Sequence, residues 1–120
     1  MEGGGHTRGT VATTVIVPRV VDAVHPMPVL AAGGIADARR VVAALALGAE
    51  GVVLGTRFLA TTESNAHPVY KSKVLEASEE DAVRMTLFGY GWPNAPHRAL
   101  RTRFVEGRST ARNSIPTNPL

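Results

Sequence analysis

Apolar runs that stop at glycine give the clearest structural signal in this chain. One apolar run covers residues 29–32 and ends at Gly33 and Gly34, and a second covers residues 51–54 and ends at Gly55. Short, partly β-branched runs bounded by glycine are typical of buried strands followed by tight turns. Because about one helix length separates the two runs, the sequence predicts a strand–helix–strand unit.

The segment between the two runs has the pattern of an amphipathic helix. Asp37 is placed to cap its N-terminus, and Gly48 suits its C-terminal end. Apolar residues recur between and just beyond these caps at helical spacing, which predicts one apolar face formed by Val41, Val42, Leu45 and Ala49. Parallel strands joined by such a helix end at the same sheet edge, so the two glycine turns should be neighbours.

The segment before this unit allows two interpretations. Residues 10–17 are β-branched and apolar enough to form a strand. Pro18 fits the first turn of a helix, which would end near His25. Either way, this segment leads into the first predicted strand.

The C-terminal part carries weaker signals. Pro68 opens another predicted helix, with Lys71 on its outer face, and the acidic run 78–81 suits the start of a helix or turn. Residues 106–120 contain few apolar side chains and are expected to be disordered or docked on something else. Residues 1–105 are therefore the expected folded unit.

Composition and charge exclude several functional classes. The chain has 120 residues, no cysteine and a formal net charge of +3. Without cysteine there are no disulfides or thiolate metal sites, and no other metal-ligand spacing is present, so we expect no metal. Thirteen basic residues could attract nucleic acid, but aromatic residues make up 5% and no recognition motif is present. The absence of cysteine leaves a cytoplasmic origin as the default, and the apolar runs are too short to span a bilayer. We therefore expect a cytoplasmic protein that binds neither nucleic acid nor membranes.

The two glycine turns form the candidate functional site. Glycine lets bare N–H groups approach an anion, and a helix N-terminus beyond the turn favours negative charge. The loops after the last two strands of a (β/α)8 barrel frequently form a phosphate site. From the pattern alone, an ordinary role as turn and cap residues is an equally good interpretation.

One histidine lies in the glycine-rich segment 2–9. The ordinary pKa of histidine is about 6.5, so His6 could accept a proton near neutral pH. From the residues alone, a solvated loop position is the simpler interpretation.

A family resemblance rests on the words AAGGIAD, ALALGAEGVVLGTRFLATTES and GWPNAPHRALR. Together they resemble the C-terminal half of the nitronate monooxygenase family, formerly called 2-nitropropane dioxygenases, over about residues 2–103. The resemblance implies an α/β fold, the C-terminal part of an FMN-binding TIM (β/α)8 barrel, and a loop leading into the helix at Pro18. A complete barrel needs about 250 residues, so we expect an incomplete barrel, the C-terminal fragment of a longer chain.

The resemblance also implies roles for individual residues. The family word Glu-Ala-Gly-Gly-His matches residues 2–6, with Gly3 in the place of alanine, and makes His6 the expected catalytic base. Backbone amides would bind the FMN phosphate, with the Thr56 hydroxyl as a further donor; the residues are Gly33, Gly34, Ile35, Gly55 and Thr56.

The implied reaction is oxidation of a nitronate or alkyl nitro compound by dioxygen. An FMN-dependent enoyl reductase is one alternative, because it would use similar glycine turns and a similar histidine. Another is an inert barrel remnant or assembly module that self-associates through its exposed edges and inner face.

Overall fold

The computed structural model describes residues 2–3, 9–88, 91 and 95–113, with side chains described as far as residue 108. These residues form a mixed α/β fold with two small sheets. The elements in chain order are α1 (Thr13–Val24), β1 (Leu30–Ala32), α2 (Ala38–Ala46), β2 (Gly51–Val53), α3 (Thr56–Leu59), α4 (Pro68–Glu76), a 3-10 turn (Glu79–Asp81), β3 (Ala82–Met85), β4 (His97–Leu100) and α5 (Arg103–Asn113).

Strands β1 and β2 pair in parallel, and α2 forms the crossover between them. Leu30 lies opposite Gly51, and Ala32 lies opposite Val53. Because the strands run in the same direction, their C-terminal ends meet at the same edge of the sheet. The strand–helix–strand unit predicted from the sequence is therefore present.

Helix α2 begins and ends at the predicted residues. The Asp37 carboxylate accepts a hydrogen bond from the backbone N–H of Arg40 at 3.0 Å. At the other end, the N–H of Ala49 donates to the carbonyl of Ala44 at 3.1 Å, and Gly48 has a φ of +93°. This left-handed ending favours glycine, because a side chain would be strained there.

The core lies between the helices α1 and α2 and one face of the first sheet. Its buried members are Val17, Ala31, Ala44 and Ala49. The predicted apolar face of α2 is only partly right, because Val42 and Leu45 are 65% and 47% exposed. Ala44 faces the core instead, where its small side chain lets α2 approach the sheet closely.

Helix α1 begins earlier than the sequence pattern indicates. It starts at Thr13, so Pro18 lies inside the helix, and the strand interpretation of residues 10–17 is wrong. A contact from outside the helix supports the early start, because the Glu2 carboxylate accepts a hydrogen bond from the N–H of Thr13 at 3.1 Å. The β-strand propensity of residues 10–17 is thus overridden by a contact with Glu2, which is distant in sequence.

Helix α4 starts at Pro68, as predicted. The ring Nδ1 of His67 accepts a hydrogen bond from the N–H of Val69 at 3.2 Å and caps the helix. Lys71 does not point outward as predicted: its ammonium group donates to two backbone carbonyls of the loop before α4.

The second sheet is an antiparallel pair. Ala82 lies opposite Leu100, and Met85 lies opposite His97. Helix α5 follows this sheet, so residues 106–113 are helical where the sequence analysis expects a disordered tail. The boundary of the folded unit at residue 105 remains a prediction.

One face of the β1–β2 sheet is uncovered by the residues that the structure describes. Leu30 is 60% exposed and Val53 is 50% exposed, whereas Ala31, which faces the helices, is 2% exposed. Parallel sheets are normally buried on both faces. The described residues therefore form a helix-backed sheet and no closed barrel.

Replacing Gly48 with alanine should destabilise the fold. The added Cβ would lie 3.1 Å from Cγ1 of Val21, and the φ of Gly48 is in the left-handed region. Such a conformation costs a non-glycine residue roughly 1–2 kcal/mol, so the free energy of unfolding in urea should fall by at least about 1 kcal/mol.

Gly107→Ala is the matched control. An added Cβ on Gly107, inside α5, meets nothing within 4 Å, and alanine favours a helix. We expect its unfolding free energy to be unchanged or slightly higher. Equal stability of the Gly48→Ala variant and the wild type would contradict the proposed helix ending.

Candidate anion-binding site

Two glycine turns follow the C-terminal ends of β1 and β2. Gly33 and Gly34 come directly after β1, with φ angles of +104° and +70°. Gly55 precedes α3, and its carbonyl accepts a hydrogen bond from the N–H of Phe58 at 3.0 Å. The first turn depends on glycine for its backbone path, because other residues rarely adopt positive φ. Gly55 has a φ of −105°, so its backbone path does not require glycine.

At Gly55, the absence of a side chain matters for access to the backbone and not for the backbone path. An added Cβ there would meet no atom within 4 Å, so the missing side chain leaves room beside the backbone. Gly34, Gly55 and Thr56 are all exposed. In the described part of the chain, no backbone carbonyl accepts a hydrogen bond from the amides of Gly33, Gly34, Ile35, Gly55 and Thr56.

Among the described residues, no backbone carbonyl accepts from these amides, so they can donate to a bound anion. Each N–H group carries a partial positive charge that an anion can approach. Phosphate and carboxylate oxygens are the acceptors that such amides bind best. The arrangement can therefore hold an anionic group and does not by itself perform acid–base chemistry.

The N-terminal glycine-rich segment packs directly on the first turn. A Cβ on Gly33 would lie 3.2 Å from the backbone N of Gly3, and a Cβ on Gly34 would lie 3.0 Å from Cβ of Glu2. Side chains at positions 33 and 34 would push these two segments apart. The segment that leads towards residue 6 therefore starts beside the candidate site.

Glu2 joins this segment to helix α1. Its carboxylate accepts hydrogen bonds from the N–H of Thr13 at 3.1 Å and from the Thr13 hydroxyl at 2.5 Å. Desolvation of the carboxyl raises its pKa, but the hydrogen bonds from the Thr13 hydroxyl and N–H outweigh it. The pKa of Glu2 therefore lies below its ordinary value, and the side chain is a carboxylate at neutral pH.

The ammonium group of Lys71, on α4, binds two carbonyls of the loop after α3. Lys71 Nζ donates to the carbonyl of Thr61 at 2.7 Å and to that of Ser64 at 2.6 Å. This loop lines an open cleft of about 620 Å³, together with Gly55 and Phe58. Helix α4 is therefore linked through Lys71 to the wall of the cleft beside the second turn.

The structure positions part of the predicted site. The five predicted cofactor-binding residues, Gly33, Gly34, Ile35, Gly55 and Thr56, follow the two paired strands. The predicted catalytic residue His6 lies outside the described residues. The roles of all six remain predictions.

Sequence reasoning missed three residues that shape the surroundings of the turns, namely Glu2, Thr13 and Lys71. Glu2 belongs to the word that matches the family, but nothing in that word identifies Thr13 as its partner. Lys71 lies on a predicted helix, where a charged side chain normally points to solvent. Contacts of this kind depend on the fold and leave no local signal.

The described residues offer few other kinds of site. Within these ranges, no group of three His, Asp or Glu side chains could hold a metal ion. None of the helices in the same part of the chain is long and apolar enough to cross a membrane. The fold and the site together define an α/β protein whose parallel strands end in turns suited to an anionic group.

The chain belongs to the nitronate monooxygenase family. The family model described as nitronate monooxygenase matches residues 1–119, nearly the whole sequence. The resemblance found from the sequence words is thereby confirmed.

Individual relatives give more detail. Rv1533 of Mycobacterium tuberculosis, which carries a provisional monooxygenase name, is 55% identical over 106 residues, 88% of this chain and 27% of that protein. A (3aS,4S,5R,7aS)-5-hydroxy-7a-methyl-1-oxo-octahydro-1H-indene-4-carboxyl-CoA dehydrogenase of the same organism is 48% identical, over 88% of this chain and 29% of the relative. The structure of FabK from Thermotoga maritima aligns with a TM-score of 0.75 and 47% identity, over 87% of this chain and 32% of FabK. The chain spans about a third or less of the proteins it matches.

The cap of α2 should make stability depend on pH. The hydrogen bond from the N–H of Arg40, together with the nearby Arg40 and Arg39 charges, lowers the pKa of Asp37 from its ordinary value of 3.8. A depressed pKa stabilises the fold above the unfolded-state pKa, and this stabilisation disappears as the pH falls through the folded-state value. Because asparagine also caps helices, Asp37→Asn should retain the cap and lose this part of the acid sensitivity.

The measurement is urea unfolding of the wild type and Asp37→Asn between neutral pH and about pH 3. The difference between their unfolding free energies should shrink as the pH falls, since other carboxylates affect both proteins alike. Asp37→Ala, which removes the cap itself, should be less stable than Asp37→Asn at every pH. A difference between wild type and Asp37→Asn that is constant with pH would be evidence against the lowered pKa.

Proposed function

We propose that this chain is the phosphate-binding part of an FMN-dependent oxidoreductase that oxidises nitronates or alkyl nitro compounds with dioxygen. The observation that carries the proposal is the pair of glycine turns after the parallel strands β1 and β2. Membership of the nitronate monooxygenase family supports the substrate class. The resemblance in sequence words supports FMN as the cofactor.

The residues present fit the phosphate of FMN. Three exposed positions, Gly34, Gly55 and Thr56, present backbone amides, and the space beside Gly55 is open. The Thr56 hydroxyl would add a further donor. When bound, FMN would supply the redox chemistry that connects oxidation of the nitronate to reduction of dioxygen. The chain itself would anchor and orient the cofactor through its phosphate.

His6 is the proposed base. An imidazole with an ordinary pKa of about 6.5 is mostly neutral at physiological pH and can take the proton next to a nitro group. Glu2 and Gly3, which lead to His6, contact the Gly33–Gly34 turn. This contact supports a position for the base close to the cofactor anchor.

Two other functions have specific support. Similarity to FabK favours an enoyl reductase-like enzyme. The 48% identical indene-carboxyl-CoA dehydrogenase is a relative named for another substrate. The uncovered face with Leu30 and Val53 favours a chain that acts only after self-association or assembly with another segment. In both alternatives the glycine turns still bind an anionic group. The alternatives differ in the substrate or in the additional chain that the site requires.

The first test is titration of FMN with the purified chain, followed by quenching of flavin fluorescence, with the solution mass measured in the same buffer. Thr56→Val should weaken FMN binding by about tenfold, because a hydrogen bond to a charged group contributes roughly 1.5–3 kcal/mol. Riboflavin, which lacks the phosphate, should bind both proteins equally. Thr62→Val is the control, since the Thr62 side chain is exposed and its hydroxyl donates to Glu63.

The solution mass distinguishes a chain that binds FMN alone from one that binds FMN only after self-association. FMN binding by a monomer would mean that the described fold suffices for the anchor. FMN binding only by an oligomer would support assembly through the uncovered face. Absence of FMN binding at every protein concentration would reject the proposed function for the chain on its own.

His6→Gln should abolish most turnover and leave FMN affinity unchanged. In a chain preparation that binds FMN, oxygen uptake with a nitroalkane should fall at least about a hundredfold, the usual contribution of a general base. Uptake with the preformed nitronate, which needs no deprotonation, should be affected less. NAD(P)H oxidation dependent on an enoyl thioester, without nitronate-dependent oxygen uptake, would favour the reductase alternative.

A further inference from the structure

We propose that Thr13, held by Glu2, is a positioning residue that sets the direction of the Gly34 N–H in the phosphate site. The consequence for cofactor binding rests on the function proposed above, whereas the geometric part concerns this chain alone. The contacts among Glu2, Thr13 and Gly33 are called the Glu2–Thr13 latch below.

The Thr13 hydroxyl contacts both segments that meet at the site. Its Oγ1 lies 2.5 Å from the Glu2 carboxylate and 3.2 Å from the carbonyl oxygen of Gly33. A hydroxyl has one proton, which is therefore shared between two acceptors. The shorter contact is to Glu2, and the longer one reaches the glycine turn.

The carbonyl of Gly33 and the N–H of Gly34 belong to the same peptide group. The peptide unit is planar and trans, so its C=O and N–H point in opposite directions. A contact that fixes the Gly33 carbonyl therefore also fixes the direction of the Gly34 N–H. That N–H is one of the amides proposed to bind the phosphate.

Glycine makes such a constraint necessary. Gly33 and Gly34 both have positive φ and lack side chains that would limit rotation of the peptide between them. A binding amide that can rotate loses affinity, because its orientation must be fixed when the ligand binds. The latch supplies this order before the anion arrives.

Glu2 has its own structural reason to hold Thr13. The residue before α1 is Ala12, and no side-chain hydrogen bond from it caps the helix. The first N–H groups of a helix need acceptors, and a carboxylate near the N-terminus is favourable. Glu2 fills this role through the N–H of Thr13 and keeps the Thr13 side chain at the turn.

Two matched pairs of variants test the latch. Thr13→Val removes the hydroxyl, and Thr13→Ser keeps it. Glu2→Ala removes the acceptor, and Glu2→Gln keeps an oxygen for the Thr13 N–H. Thr14→Val is the control on the same helix, because Thr14 is exposed.

The first readout needs no flavin. The NMR order parameter of the Gly34 N–H should be near the rigid value of about 0.85 in the wild type, Thr13→Ser, Glu2→Gln and Thr14→Val. It should fall towards about 0.6 in Thr13→Val and Glu2→Ala. An unchanged order parameter in both loss variants would overturn the proposal, and if one of them does not fold, the other pair decides.

The second readout is affinity for FMN relative to riboflavin. The loss variants should bind FMN about five- to tenfold more weakly, the effect of one misdirected hydrogen bond, with riboflavin affinity unchanged. Equal weakening for both flavins would indicate a general structural defect and would overturn the positioning role. A wild type that binds no FMN, with a Gly34 order parameter that still depends on Thr13, would reject the proposed function and leave the latch standing.

Discussion

The parallel pairing of β1 with β2 is the constraint on which the candidate site depends. A parallel pair cannot be closed by a tight hairpin, so the chain must return through α2 before the second strand starts. This path puts the ends of both strands at one edge. If the strands were antiparallel, the turn at Gly33 and Gly34 and the turn at Gly55 would lie at opposite ends of the sheet.

Local signals predicted this unit well. The cap at Asp37, the left-handed ending at Gly48 and the two strands are each encoded within a few residues, where the geometry of a turn or cap restricts the residue types. The candidate turns were predictable for the same reason. The identity of the anion was not, because amides bind phosphate and carboxylate alike, and only the family resemblance implied FMN.

The remaining features depend on contacts between distant segments. Helix α1 starts at Thr13 because Glu2 provides an acceptor, and Lys71 turns inward because two loop carbonyls lie within its reach. Exposed Val42 and Leu45 show that periodicity identified a helix without giving the rotation at which it packs. His6, the remaining predicted site residue, lies outside the described residues.

The pairing of Leu30 with Gly51 links two positions that are far apart in sequence. A methyl group added at position 51 would lie 2.9 Å from the Cδ2 atom of Leu30, so the leucine occupies the volume that the glycine leaves empty. Side chains at the two positions would therefore compete for the same volume on the uncovered sheet face. A side chain at position 51 would require the exposed Leu30 side chain to rotate aside or to be smaller, so the two positions are coupled through the sheet.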